Sequence, residues 1–130
     1  MSGDASIRSL AMLVWSADLS APERLATPFV MAQTAAALDL EVELYFTAQS
    51  VQLLTSQAGR APVGFGPGQR SLADYLSEVN ELGIKLYACS QALHAAGLLR
   101  SDLTPLCSGL GGAVQFMDRC ADPRWRTLVF

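Results

Sequence analysis

The sequence lacks long apolar runs and clusters of charge. No apolar stretch approaches the ~20 residues that cross a bilayer, and residues 1–4 carry neither the basic segment nor the following cleavage site of a secretory leader. Its nine Lys and Arg are scattered and the formal net charge is −3, which gives no electrostatic footprint for nucleic acid. We therefore expect a cytoplasmic protein without a membrane span, whose partners are proteins or small molecules.

Cysteine and histidine are also scarce. Three cysteines at irregular spacing contain no Cys-x-x-Cys pair, which excludes a secreted disulfide framework and favours reduced thiols. The single histidine, His94, follows Cys89 by five residues, and on a helix it points about 140° away from that cysteine. We therefore expect no metal site and no His94–Cys89 nucleophile–base pair.

Apolar residues are abundant instead, at 51% of 130 residues, enough for one domain over residues 1–130 with its own core. Strand patterns alternate with helix patterns along the chain. Strands are predicted at residues 7–15, 40–46, 83–88, 103–107 and 127–130, and helices begin after residues 20, 47, 71, 89 and 112. This alternation predicts an α/β class, a three-layer α/β/α fold with a roughly five-stranded parallel sheet.

Local signals refine the helices and one loop. Residues 20–23 have the capping-box pattern, and Thr47 is placed to cap a short helix. Residues 55–70 have no periodicity and are rich in glycine and proline. We expect a long loop there, either a lid or partner-docking segment or a disordered surface loop.

Cys89 is the most informative residue. It lies where the predicted strand 83–88 gives way to a predicted helix at 90–97. Backbone N–H groups at a helix start favour negative charge, so this thiol is a candidate low-pKa nucleophile. Ligands and chemistry in parallel α/β sheets collect beyond the carboxyl ends of the strands, as here. The alternative is a small buried apolar residue.

The sequence gives weaker support for a functional role of the other two cysteines, Cys107 and Cys120. The third and fourth strands are neighbours in both common parallel arrangements, so Cys107 is a candidate resolving thiol for Cys89. Its alternative is a packed strand residue, because the sequence does not fix their distance. Cys120 shares a helix face with Ala113 and Phe116, which predicts packing in the core.

The glycine-rich segment 108–112 is a candidate anion or phosphate site, through Ser108, Gly109 and Gly111. It lacks the Gly-Lys-Ser/Thr ending of a P-loop, and its glycines also suit a tight turn and close packing. Ser90, directly after Cys89, is a further candidate binding residue.

Three stretches together resemble the DsrE/DsrF-like sulfur-relay family, which includes the Tus-type sulfur carriers. They are residues 44–54 (LYFTAQSVQLL), 83–93 (GIKLYACSQAL) and 127–130 (TLVF). The resemblance implies an α/β/α subunit that assembles into homotrimers or homohexamers and carries sulfur as a persulfide on Cys89. Ser50 departs from the glycine of many relatives, and Cys107 and Cys120 are additional.

Three hypotheses follow. In the first, Cys89 is the catalytic residue that takes sulfane sulfur from a donor protein or small persulfide and passes it to an acceptor thiol, without a cofactor. In the second, the chain is a small-molecule or nucleotide-binding module that uses segment 108–112 and Arg60 or Arg70. In the third, it is a structural or regulatory oligomer subunit whose Cys89 is inert and has an ordinary pKa.

Overall fold

The structure, a computed structural model, describes residues 6–130, and the N-terminal residues 1–4 considered above lie outside the described part. Strands and helices alternate as predicted. The strands are β1 (Ser9–Val14), β2 (Glu41–Phe46), β3 (Pro62–Val63), β4 (Arg70–Ser71), β5 (Lys85–Ala88), β6 (Gly109–Leu110) and β7 (Trp125–Val129). The α-helices are α1 (Pro22–Ala37), α2 (Leu72–Glu81), α3 (Ser90–Ala95) and α4 (Ala113–Ala121).

Five of the strands form one parallel sheet in the order β6-β5-β2-β1-β7. This confirms the predicted five-stranded parallel sheet with helices on both faces. The strands β5 and β6, third and fourth along the chain in this sheet, are neighbours as expected. Helix α4 connects β6 at one edge of the sheet to β7 at the other. Its buried residue Phe116 packs with Ala11 and Tyr45 on the face opposite α1 and α2.

The register of the sheet aligns the carboxyl ends of four strands. Their last paired residues form one row across the sheet, Val14, Phe46, Ala88 and Leu110. The residues that follow three of these positions are Thr47, Cys89 and Gly111. Parallel pairing in this register therefore brings these three residues to one edge of the sheet.

The larger core lies between the sheet and helices α1 and α2. Leu25 and Phe29 of α1 and Leu72 and Leu76 of α2 are buried against the apolar residues of β1, β2 and β5. Ser71 begins α2 by accepting a hydrogen bond from the backbone N–H of Asp74 at 3.2 Å. The i, i+3, i+4 spacing of apolar residues on these helices explains their inward faces.

The other face carries a buried ion pair that the sequence did not reveal. Glu43 is 3% exposed, and its carboxylate accepts hydrogen bonds from Arg119 Nε (2.9 Å) and Nη2 (3.1 Å) and from the Tyr45 hydroxyl (2.7 Å). Gln115 donates to the same hydroxyl at 2.8 Å, and the Arg119 guanidinium lies 4.4 Å from the centre of the Trp125 ring. These bonds hold α4 on the sheet, because a buried carboxylate needs its partners.

Residues 55–70 are folded, so the expectation of a long loop without structure is wrong. Two 3₁₀-helices, Ala48–Leu54 and Ser56–Arg60, lead into a small antiparallel hairpin of β3 and β4. Val63 is fully buried, and Gly64 N–H donates to the Pro22 carbonyl at 3.1 Å. Glycine and proline here set tight turns, which have no helical or strand periodicity to detect.

The strand predicted at residues 103–107 is also wrong. Thr104 N–H donates to the Leu54 carbonyl at 2.7 Å, so this segment pairs away from the sheet. The chain joins β5 only at Ser108, whose N–H donates to the Leu86 carbonyl at 2.7 Å. The strand at this edge of the sheet, beside β5, is therefore the two-residue β6. It lies inside the glycine-rich segment 108–112, for which a tight turn was expected.

The predicted capping box before α1 does not form. The N-cap is Ala21, which has no side chain able to accept a hydrogen bond, and the Ser20 hydroxyl donates to Asp18 at 3.0 Å instead. Proline in the first turn is as predicted, because Pro22 begins the helix.

We expect Arg119→Met to lower the free energy of unfolding by about 3–5 kcal/mol, because it leaves the buried Glu43 carboxylate without its cation. Urea denaturation measures this loss. Arg124→Met is the matched control, because the arginine of its ion pair with Asp122 is exposed, and it should lower stability far less than Arg119→Met does. Equal small losses in both variants would contradict the role given to the buried pair.

Candidate functional site

Cys89 stands at the carboxyl end of β5 and is the N-cap of α3. Its backbone N–H donates to the Phe46 carbonyl at 2.9 Å, and its carbonyl accepts from Leu93 N–H at 3.0 Å. These bonds tie the residue both to β2 and to the first turn of α3. The side chain is partly buried, so the sulfur is fixed in position yet open to reagents.

Thr47 lies beside Cys89 on the neighbouring strand end. It occupies the predicted N-cap position, but its hydroxyl caps no helix and hydrogen-bonds the Cys89 sulfur. Ala48 follows with φ of 51°, a left-handed conformation that is uncommon for alanine. The buried Ser50 hydroxyl donates to the carbonyls of Thr47 (2.6 Å) and Val14, which fixes this turn.

These contacts set the ionisation of Cys89. Burial raises the pKa of the thiol, but hydrogen bonds from the Thr47 hydroxyl and the backbone N–H groups of Ala92 and Gln91 outweigh burial. The pKa of Cys89 therefore lies below the ordinary value for a cysteine. The N–H groups that favour the thiolate belong to Gln91 and Ala92, one and two residues beyond the predicted Ser90. They are the second and third residues of α3, although the Cys89 side chain makes no capping hydrogen bond.

Cys107 has a different environment. Its S–H donates to the carbonyls of Gly109 (3.4 Å) and Leu86 (3.6 Å), and burial raises its pKa. Both thiols are free. Cys107 precedes β6, because the chain joins β5 only at Ser108. Its contacts hold the sulfur beside Leu86 and Gly109, and its role as a resolving thiol for Cys89 stays a prediction.

Cys120 and His94 are both exposed. The expectation that Cys120 packs in the core is wrong, because the inward stripe of α4 is formed by Gln115, Phe116 and Arg119 instead. Cys120 lies outside that stripe.

The glycine-rich segment mainly serves packing and strand pairing. Ser108 Oγ accepts from Leu86 N–H at 3.0 Å, and Gly111 N–H donates to the Ala88 carbonyl at 3.0 Å. The predicted anion-binding N–H groups of Ser108 and Gly111 are thus already used within the sheet. A Cβ on Gly111 would lie 3.0 Å from Tyr87 Cβ and 3.3 Å from Tyr45 Cε2, so this glycine permits a close approach.

A cavity of about 280 Å³ opens beside Cys89. It lies between the strand ends and the start of α4, and its wall includes Thr47, Gly112 and Ala113. Gly112 is the N-cap of α4 and has no side chain to cap the helix. The first backbone N–H groups of α4 therefore border the cavity near the cysteine. Arg60 and Arg70, candidates for phosphate contact, do not line it; Arg70 pairs with Glu78 at 2.5 Å.

Within residues 6–130, no helix is both long and apolar enough to cross a membrane. The same part of the chain contains no group of three or more His, Cys, Asp or Glu side chains arranged to hold a metal ion.

The DsrE/DsrF-like family matches residues 11–130. Because the match covers nearly the whole chain, the protein belongs to the DsrE/DsrF-like family, as the resemblance predicted. Membership suggests a role related to sulfur relay. No curated protein matches the sequence significantly.

Two solved structures share the fold. The YchN protein of E. coli superposes with a TM-score of 0.68 at 15% identity, over 95% of this chain and 100% of that one. MTH1491 of Methanobacterium thermoautotrophicum, a protein of unknown function, superposes with a TM-score of 0.63 at 17% identity, over 96% and 100%. At these identities the likeness shows the fold alone.

We expect Thr47→Val to raise the pKa of Cys89, because valine keeps the shape but removes the O–H donor to the thiolate. The rate of Cys89 alkylation, followed against pH, should then rise at higher pH than in the wild type and be several-fold slower near neutrality. Thr47→Ser keeps the hydroxyl and should keep the wild-type profile. Superimposed profiles for Thr47→Val and the wild type would refute this role.

We expect Gly111→Ala to destabilise the fold by about 1–3 kcal/mol, because the added Cβ meets the Tyr87 Cβ, which is fixed on β5. Gly68→Ala is the matched control, since nothing lies within 4 Å of its added Cβ and its φ is not left-handed, and its effect should stay within about 0.5 kcal/mol. Thermal and urea unfolding compare the two. Equal stabilities of the two variants would contradict the steric role given to Gly111, because they would show that β6 shifts without a loss of stability.

Proposed function

We propose that this protein is a sulfur carrier, or a sulfurtransferase that works through the same intermediate, and that it holds sulfane sulfur as a persulfide on Cys89. The single observation that carries the proposal is the geometry around this thiol. Cys89 is fixed at the sheet edge, partly exposed, and surrounded by hydrogen-bond donors that favour its thiolate. Membership of the DsrE/DsrF-like family supports the same conclusion.

The chemistry requires no cofactor. The Cys89 thiolate attacks the outer sulfur of a donor persulfide, R–S–SH; the new S–S bond forms as the donor S–S bond breaks, and RS⁻ leaves with the electron pair. An acceptor thiolate then attacks the outer sulfur of Cys89–S–SH and releases the Cys89 thiolate. The sulfane sulfur changes partner in both steps, and no external oxidant or reductant takes part.

The surroundings of Cys89 suit both steps. The Thr47 hydroxyl and the N–H groups of Gln91 and Ala92 stabilise the thiolate before loading and after release. The persulfide of Cys89 is itself an anion near neutral pH, and the N-terminus of α4 across the cavity favours negative charge. We propose that a partner protein docks at this edge to exchange sulfur with the partly buried Cys89.

The competing hypotheses have less support. The nucleotide-binding hypothesis needs free N–H groups in segment 108–112, and those of Ser108 and Gly111 are bonded to β5. The inert-subunit hypothesis needs an ordinary thiol, and the contacts of Cys89 lower its pKa. Cys107 fits the inert description better, because both of its contacts accept the S–H proton.

The homotrimer or homohexamer and the cytoplasmic location stay predictions. Exposed apolar side chains support self-association. On the edge strand β7 and after β1 they include Val129 at 59%, Trp15 at 52% and Leu128 at 43% exposed. Such side chains in one region favour burial against another chain.

We expect Cys89→Ser to abolish sulfur loading without unfolding the protein, because serine keeps the size and the N-cap role but cannot form a persulfide. Reduced protein is incubated with a persulfide donor, free thiols are blocked, and peptides are weighed for a reductant-sensitive gain of one sulfur atom. Cys107→Ser and Cys120→Ser are the controls and should load like the wild type. Undiminished loading of Cys89→Ser would overturn the proposal.

A further inference from the structure

The cavity beside Cys89 has an apolar lining. The apolar side chains of its wall are Leu13, Tyr45, Phe116 and Met117. Thr47 and Gln91 add polar side chains, and the described residues that line it include no Asp, Glu, Lys, Arg or His. A charged substituent on an occupant would lose hydration among these side chains without an ion-pair partner, so the lining favours an apolar substituent.

Tyr45 contributes its ring to the cavity. Its hydroxyl is already bonded to Glu43 at 2.7 Å and to Gln115 at 2.8 Å, and neither of these two residues lines the cavity. The ring also packs on Tyr87, with centroids 5.2 Å apart, and edge-on against Phe116 at 5.5 Å. The aromatic wall is therefore held rigidly by contacts behind it.

The volume fits a small organic group. A cavity of roughly 150 Å³ lined by apolar side chains holds benzene, and this one measures about 280 Å³. That space accommodates one aromatic ring or a short branched alkyl group together with two sulfur atoms. A molecule of this size that fills the cavity has its reactive end at Cys89, which is part of the wall.

We propose that the sulfur donor for Cys89 is a small organic persulfide whose uncharged, apolar group R occupies this cavity. The inference rests on the proposed sulfur-carrier function and names its substrate class. In the transfer, the Cys89 thiolate bonds to the outer sulfur of R–S–SH, the S–S bond of the donor breaks, and RS⁻ leaves with the electron pair and takes up a proton from water.

Two persulfide donors with the same reacting group and different R groups test whether the cavity prefers an apolar R. Benzyl hydropersulfide carries an uncharged ring, and glutathione hydropersulfide carries the same reacting group on a charged peptide. Each rate of Cys89 loading is divided by the rate of the same donor with a free low-molecular-weight thiol. We expect the corrected rate for the benzyl donor to exceed that for the glutathione donor by about tenfold or more, from burial of the ring.

A cation placed in the cavity wall should weaken the preference for the benzyl donor. Met117 is 60% exposed, so Met117→Lys is tolerated by the fold while placing a cation at the cavity. It should lower the benzyl-to-glutathione ratio by about tenfold, the effect of one attractive charge worth 1.4 kcal/mol. Val114→Lys is the matched control, because it adds the same charge to the same helix at a side chain outside the cavity, and it should keep the wild-type ratio.

The outcomes separate the two proposals. Loading of Cys89 by neither donor in folded protein would overturn the sulfur-carrier function itself. Loading at equal corrected rates, with no change of the ratio in Met117→Lys, would overturn the donor class and leave the carrier function standing. A change as large in Val114→Lys as in Met117→Lys would also overturn the donor class, since it would show long-range charge attraction and not occupancy of the cavity.

Discussion

The parallel pairing of β2 with β5 is the constraint on which the site depends. Phe46 and Ala88 end the two strands in the same register row, and the bond from Cys89 N–H to the Phe46 carbonyl extends the pairing by one step. Thr47 and Cys89 are thereby neighbours, although they are 42 positions apart in the sequence. A slip of one residue in this register would carry the hydroxyl away from the sulfur and leave the thiol with an ordinary environment.

The two faces of the sheet are stabilised by different interactions. The apolar face with α1 and α2 supplies most of the buried area, and hence most of the stability. Of the described helices, α4 covers the opposite face. The ion pair of Glu43 on β2 with Arg119 on α4 is a specific contact that fixes the position of this helix on the sheet. Because the first turn of α4 borders the cavity, this pair also sets the wall opposite Cys89.

Several features were predictable because they are local in the chain. The alternation of strands and helices defined the α/β class, and the change from an apolar strand to a helix at Cys89 identified the candidate nucleophile. Ser71 was predictable as the start of α2 for the same reason, since a cap acts on N–H groups three residues away. The capping box at Ser20 failed because the helix begins one residue later than it requires, with Ala21 at the N-cap.

By itself, the sequence determined the fold class, the ends of the strands before Thr47 and Cys89, and the choice of Cys89 as the candidate nucleophile, since each depends on residues close along the chain. Only the tertiary structure decided what surrounds that thiol. The position of the Thr47 hydroxyl, the buried partners of Glu43 and the apolar cavity all depend on strand order and register. Contacts between residues distant in the chain are set by how the layers pack, and no local pattern records them.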